Sequence, residues 1–74
     1  MLTMATSIGD RIRQLRRDRL LTQAELSDKS GVGVASIIRI ERGQVEPRFS
    51  TIRKLARALE VDPPELVRDG NKVD

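Results

Sequence analysis

The side chains best equipped for chemistry in this chain are arginines and amides, not a cluster of nucleophiles or acids. Arg39 carries a planar fork of N–H donors that can bond the O6 and N7 atoms of one guanine together, a contact worth about 1–3 kcal/mol of discrimination between bases. Ser36 lies three residues earlier, one helical turn away, and its hydroxyl can reach a phosphate or a base edge. Val34, Ala35 and Ile38 beside them have no hydrogen-bonding side chain and can offer contact to thymine methyl groups. Catalysis has little to work with. The 74 residues contain no His, Cys, Tyr or Trp, so the usual general base, the thiolate nucleophile and the commonest metal ligands are missing. Carboxylates, hydroxyls and lysines remain without a catalytic constellation. The expectation is therefore no enzyme, no metal and no cofactor.

These residues need elements to position them. In residues 22–43, TQAELSDKSGVGVASIIRIERG, Thr22 can cap a helix and Glu25 three residues later completes a capping box. Ala24, Leu26 and Ser30 are placed on its inner side. Gly31 can take the left-handed conformation that ends it. Val32, Ile37 and Ile40 give the next helix an inward face, and Val34, Ala35, Ile38 and Arg39 point away. Two helices joined by a short glycine-containing turn form a helix-turn-helix, whose second helix, at about residues 34–42, suits a DNA major groove.

Helical periodicity extends over nearly the whole chain, and no segment alternates with the period of a strand. Ser7 caps a first helix with Ile8, Ile12 and Leu15 on one face, running to about Arg19. Gly43 stops the third helix, and residues 42–48 form a loop. Pro47 precedes a fourth helix whose stripe is Phe49, Ile52, Leu55, Ala56 and Leu59. Asp62, Pro63, Pro64 and Glu65 read as the cap and first turn of a short fifth helix ending near Val67. The domain is expected over 7–68, between a flexible segment 1–6 and a frayed tail 69–74. No apolar run is long enough to span a bilayer and no signal sequence is evident, so a cytoplasmic protein without a membrane partner is the default. The net charge of +3 is unevenly spread. Arg11 to Arg57 hold twelve basic residues against five acidic ones, and the remainder is acidic. A basic body suits a polyanion.

Several pieces in order, IGDRIRQLRRDR, LTQAEL, SGV, IIRIERG, Pro47, IRKLARALEV and a final EL, make the chain from Ser7 to Val67 resemble the Cro/C1-type (XRE-like) helix-turn-helix family of bacterial and phage regulators. The resemblance implies an all-α, five-helix, lambda-repressor-like domain that binds double-stranded DNA and represses or activates transcription. It also implies roles for individual residues. Arg16 and Glu41 match a partly buried ion pair. Independently of the resemblance, a glutamate within a basic segment needs a partner, and a guanidinium suits it. Gln23 stands where the family sets an amide beside the DNA backbone, at a helix N-terminus that adds partial positive charge. Gly33 and Ser36 at the start of the reading helix, and Arg42, Gln44 and Arg48 in or beside the following loop, fall where phosphates approach. The other arginines of the first helix (Arg11, Arg13, Arg17, Arg19) and Arg53, Lys54 and Arg57 read as solvated charges.

The chain also departs from the family pattern. Val34, Ala35 and Ile38 replace polar or basic residues, and Gly33 replaces the usual Ser or Thr cap. Leu20 and Glu60 stand where glycine often ends a helix, so those ends either close differently or carry mild strain. An apolar reading face fits an A·T-rich site read by methyl contacts and Arg39. It also fits a protein partner, so an antitoxin or protein-interaction module is the alternative. A homodimer on a pseudo-palindrome is expected, with Val61, Leu66 and Val67 as candidates for its contact. No small-molecule pocket is inferred.

Overall fold

The computed structural model describes residues 7–67. The proposed segment 1–6, the domain limit at 68 and the tail 69–74 lie outside the described residues. Five helices follow one another: α1 Ile8–Asp18, α2 Gln23–Ser30, α3 Val34–Glu41, α4 Phe49–Leu59 and α5 Pro63–Val67. Local chemistry starts the first two. Ser7 Oγ accepts the Asp10 N–H at 3.1 Å ahead of α1. At α2 the capping box is complete, with Thr22 Oγ1 accepting from Glu25 N at 3.0 Å and Glu25 Oε1 accepting from Thr22 N at 2.8 Å. α5 begins differently from the sequence expectation. The Glu65 N–H bonds the Asp62 carbonyl oxygen at 2.8 Å, so the backbone rather than a side chain starts that helix.

One core holds the helices together. Ile12 of α1, Leu26 of α2, Ile37 and Ile40 of α3, Leu55, Ala56 and Leu59 of α4 and Leu66 of α5 are all buried, with Val32 and Ile52 beside them. Each large aliphatic side chain taken from water contributes about 1.5–3 kcal/mol before entropy is counted. Ile8, Leu15, Leu21, Ala58 and Val61 pack against this cluster from its edge. α2 lies against α3 and α4, while α1 bridges α3, α4 and α5.

Two inner-face assignments are corrected by the packing. Phe49 is 75% exposed. It is the first residue of α4, and the stripe turns inward only at Ile52; periodicity gives direction but not where burial starts. Ala24 is exposed, leaving Leu26 as the buried residue of α2, with Ser27 and Ser30 partly covered. Val32 is buried as expected, although from the turn before α3 rather than from the helix itself.

Arg11 is also not merely solvated. Its Nε donates to the Glu65 carbonyl oxygen at 3.2 Å and its Nη2 stands 3.9 Å from the Glu65 carboxylate, tying α1 to α5. Arg13 bonds Asp10 at 2.7 Å on the surface. That bond, with those from Ser7, holds the Asp10 carboxyl below its ordinary range. The small stabilisation it brings is present at neutral pH and is lost as acid titrates Asp10.

Three helices end in the same closure, in which an N–H reaches back to the carbonyl five residues earlier: Leu21 to Arg16, Gln44 to Arg39 and Val61 to Ala56. The closure needs a left-handed residue just before that N–H. Gly43 supplies it after α3 with φ 75°, but Leu20 with φ 58° and Glu60 with φ 61° supply it after α1 and α4. The strain alternative anticipated for these two positions is the one adopted. Leu20 is 89% exposed, so removing its side chain forfeits little packing. Leu20→Gly and Glu60→Gly should each stabilise the domain by roughly 1 kcal/mol. Thermal unfolding should register each as a rise of about 4–8 °C in Tm.

Candidate nucleic-acid interface

The candidate surface is built on α3. Ile37, Ile40 and Glu41 face the core, while Val34, Ala35, Ser36 and Arg39 are exposed and Ile38 is half-buried at the edge. Gly33 precedes the helix in extended backbone, with φ −58° and ψ 144°, and provides no side-chain cap. The space beside it is open, and an added Cβ would meet nothing within 4 Å. After the helix, Arg42, Gln44 and Arg48 are all exposed, and no carboxylate lies within ion-pair distance of Arg39, Arg42 or Arg48 among the described residues. Their donors face solvent.

The N-terminus of α2 lies against the end of α3, and the link is polar. Arg16 Nε donates to Glu41 Oε2 at 2.8 Å and Arg16 Nη2 donates to Glu41 Oε1 at 3.0 Å, a two-pronged pair with side chains only 11% and 3% exposed. The carboxylate holds the Arg16 guanidinium charged, above the ordinary arginine range, against the opposing effect of burial. Arg16 Nη1 also donates to the Leu21 carbonyl oxygen at 2.9 Å, inside the closure that ends α1. Gln23 is partly buried, and its Nε2 donates to Glu41 Oε1 at 3.0 Å. One carboxylate therefore joins the body of α1, the start of α2 and the end of α3. No side-chain donor or acceptor that is fully buried lacks a partner among the described residues.

Sequence reasoning placed the exposed face of α3 and its flanking arginines where the structure has them. It missed three contacts: Gln23 to Glu41, Arg16 to the Leu21 carbonyl, and the close approach of α1 to α3 at Gly9. The last had a signal. Glycine inside a helical pattern is unfavourable, and such a residue asks for a packing reason. Here a Cβ would overlap the Ile40 carbonyl oxygen and stand 3.2 Å from the Glu41 Cα.

Among the described residues, no helix is long and apolar enough to cross a membrane and no cluster of His, Cys, Asp or Glu could hold a metal ion.

Known proteins are similar to this chain in sequence and fold. The chain is 46% identical over 56 residues to the HTH-type transcriptional repressor RghR of Bacillus subtilis, covering 74% of this chain and 42% of that one. The chain thus spans under half the length of that relative. Among solved structures, it matches the restriction-modification controller protein C.AhdI from Aeromonas hydrophila with TM-score 0.79 and 38% identity, covering 82% of this chain and 92% of the other. It matches the P22 c2 repressor in complex with a synthetic operator with TM-score 0.78 and 32% identity, covering 84% and 94%. The family profile described as helix-turn-helix matches residues 12–66, nearly the whole described fold. By profile, relatives and fold together, the chain belongs to the Cro/C1-type (XRE-like) helix-turn-helix family.

Proposed function

We propose that this domain is a sequence-specific double-stranded DNA-binding regulator of transcription that inserts α3 into the major groove. The observation that carries the reading is the joint exposure of Val34, Ala35, Ser36 and Arg39 on one face of α3, flanked by the uncommitted Arg42, Gln44 and Arg48. In this reading Arg39 reads a guanine edge, while Val34, Ala35 and Ile38 meet thymine methyls. Gln23, Gly33, Ser36, Arg42, Gln44 and Arg48 contact the phosphates that fix the register. The helix N-terminus beneath Gln23 adds attraction for a phosphate. A repressor among the relatives and an operator-bound neighbour support it.

A reading head this small covers few base pairs, so a second copy on a pseudo-palindrome adds specificity, with half-sites about 34–36 Å apart. Of the three dimer candidates in the sequence, Leu66 is buried and Val61 packs on the core, leaving Val67 exposed. Phe49 and Val45 join it around a depression between the start of α1, the loop after α3 and α4. That patch is where the second copy would meet the first.

The electrostatic part is tested by duplex affinity at several salt concentrations. Binding should weaken steeply with salt, and Arg42→Ala and Arg48→Ala should each reduce the slope of log affinity against log salt by about 0.9 while weakening all sequences alike. Salt-independent binding, or no binding to duplex DNA, would overturn the proposal.

A further inference from the structure

We infer that Glu41 is a positioning residue for DNA binding: by holding the Gln23 amide, it fixes the backbone anchor on α2 relative to the reading helix α3. The inference rests on the reading of Gln23 as a phosphate contact given above. Glu41 is the last residue of α3 and Gln23 the first of α2. A glutamine at such a place would ordinarily sample many rotamers. Here its Nε2 donates to Glu41 Oε1 at 3.0 Å, and that same oxygen accepts from Arg16 Nη2 at 3.0 Å.

The chemistry of the three groups sets the direction of the amide. A carboxylate only accepts, so the Gln23 NH2 rather than its carbonyl must face Glu41. A primary amide has two N–H donors diverging by roughly 120° within one plane. With one committed to Glu41, the second N–H and the carbonyl have no hydrogen-bond partner among the described residues. The second N–H is then held in a fixed direction and remains free to donate to a phosphate.

Arg16 is needed for this arrangement. A lone carboxylate near DNA would repel the phosphate that Gln23 is meant to hold. With Arg16 in a two-pronged pair, the carboxylate is neutralised within the fold yet keeps capacity to accept one more bond. The pair therefore joins core and DNA face, and immobilises the amide before DNA arrives. Preorganising one long side chain is worth roughly two- to tenfold in affinity.

The test compares the full chain with Arg16→Met/Glu41→Leu, an apolar replacement of a kind that often leaves stability unchanged or improved. Circular dichroism checks that it folds. The first readout is the NMR order parameter of the Gln23 side-chain amide without DNA. We expect a value near the about 0.85 of rigid backbone in the parent and below about 0.6 in the double variant. The second is duplex affinity with and without Gln23→Ala in each background. The loss on removing Gln23 should be roughly two- to tenfold larger in the parent than in the double variant. A mobile amide in the parent, or equal losses in both backgrounds, would overturn the inference while leaving DNA binding itself intact. Failure of the parent to bind any duplex is a separate result, which would overturn the proposed function and this inference with it.

Discussion

Arg16→Ala is expected to destabilise the domain by about 3–5 kcal/mol, because it leaves the Glu41 carboxylate buried without its cation. The side chains are 11% and 3% exposed, so water cannot easily replace the lost donors. Two further losses add to the charge. The Leu21 carbonyl oxygen forfeits the Arg16 Nη1 donor at the strained end of α1. The carboxylate also retains only Gln23 as a side-chain donor. Thermal unfolding is the direct check, since a loss of this size equals a large part of the stability of a small domain. An unchanged Tm would show that the pair carries no structural weight. DNA affinity measured at low temperature, where the variant is still folded, separates unfolding from any direct effect on binding.

Gly9→Ala should rank with it, at about 3 kcal/mol, by a different mechanism. The added methyl would overlap the Ile40 carbonyl oxygen and stand 3.1 Å from its carbon. Backbone, not the end of a flexible side chain, is what it meets. Relief requires α1 and α3 to separate, and such overpacking costs about 1–3 kcal/mol, occasionally more. Ile12 and Ile37, both fully buried, would lose packing as the helices part. Because Glu41 follows Ile40 directly, the shift also strains the Arg16 pair. Alanine favours a helix over glycine by about 1 kcal/mol, so helix propensity alone predicts a gain. The sign of the change in Tm therefore decides between propensity and contact.

Most of the fold was legible because its signals are local. Ser7, Thr22 with Glu25, Gly31 and Gly43 each announce a helix boundary through their own chemistry. The inward positions Ile12, Leu26, Ile37, Ile40, Leu55 and Leu59 follow from helical spacing. What could not be read depends on how one helix meets another. Phe49 continues the α4 stripe in sequence but extends past the packed surface. Arg11 looks like any exposed arginine until α5 brings the Glu65 carbonyl to it. Family resemblance points to the Arg16–Glu41 pair, but places the third member, Gln23, only on the DNA side. A side chain that bonds across to the end of a neighbouring helix leaves no periodic trace. The left-handed Leu20 and Glu60 are an intermediate case: their positions were suspect, but only the backbone decides between strain and a different closure.

The central claim, that α3 reads base sequence, is tested most directly by selecting binding sites from random duplex DNA with the parent chain and with Arg39→Ala in parallel. The account predicts an enriched pseudo-palindrome with half-sites about one helical turn apart. Within each half-site, one base-pair preference should weaken by about 1–3 kcal/mol in the variant, with non-specific affinity largely retained. No enriched sequence, or the same preference at every position after loss of Arg39, would contradict it.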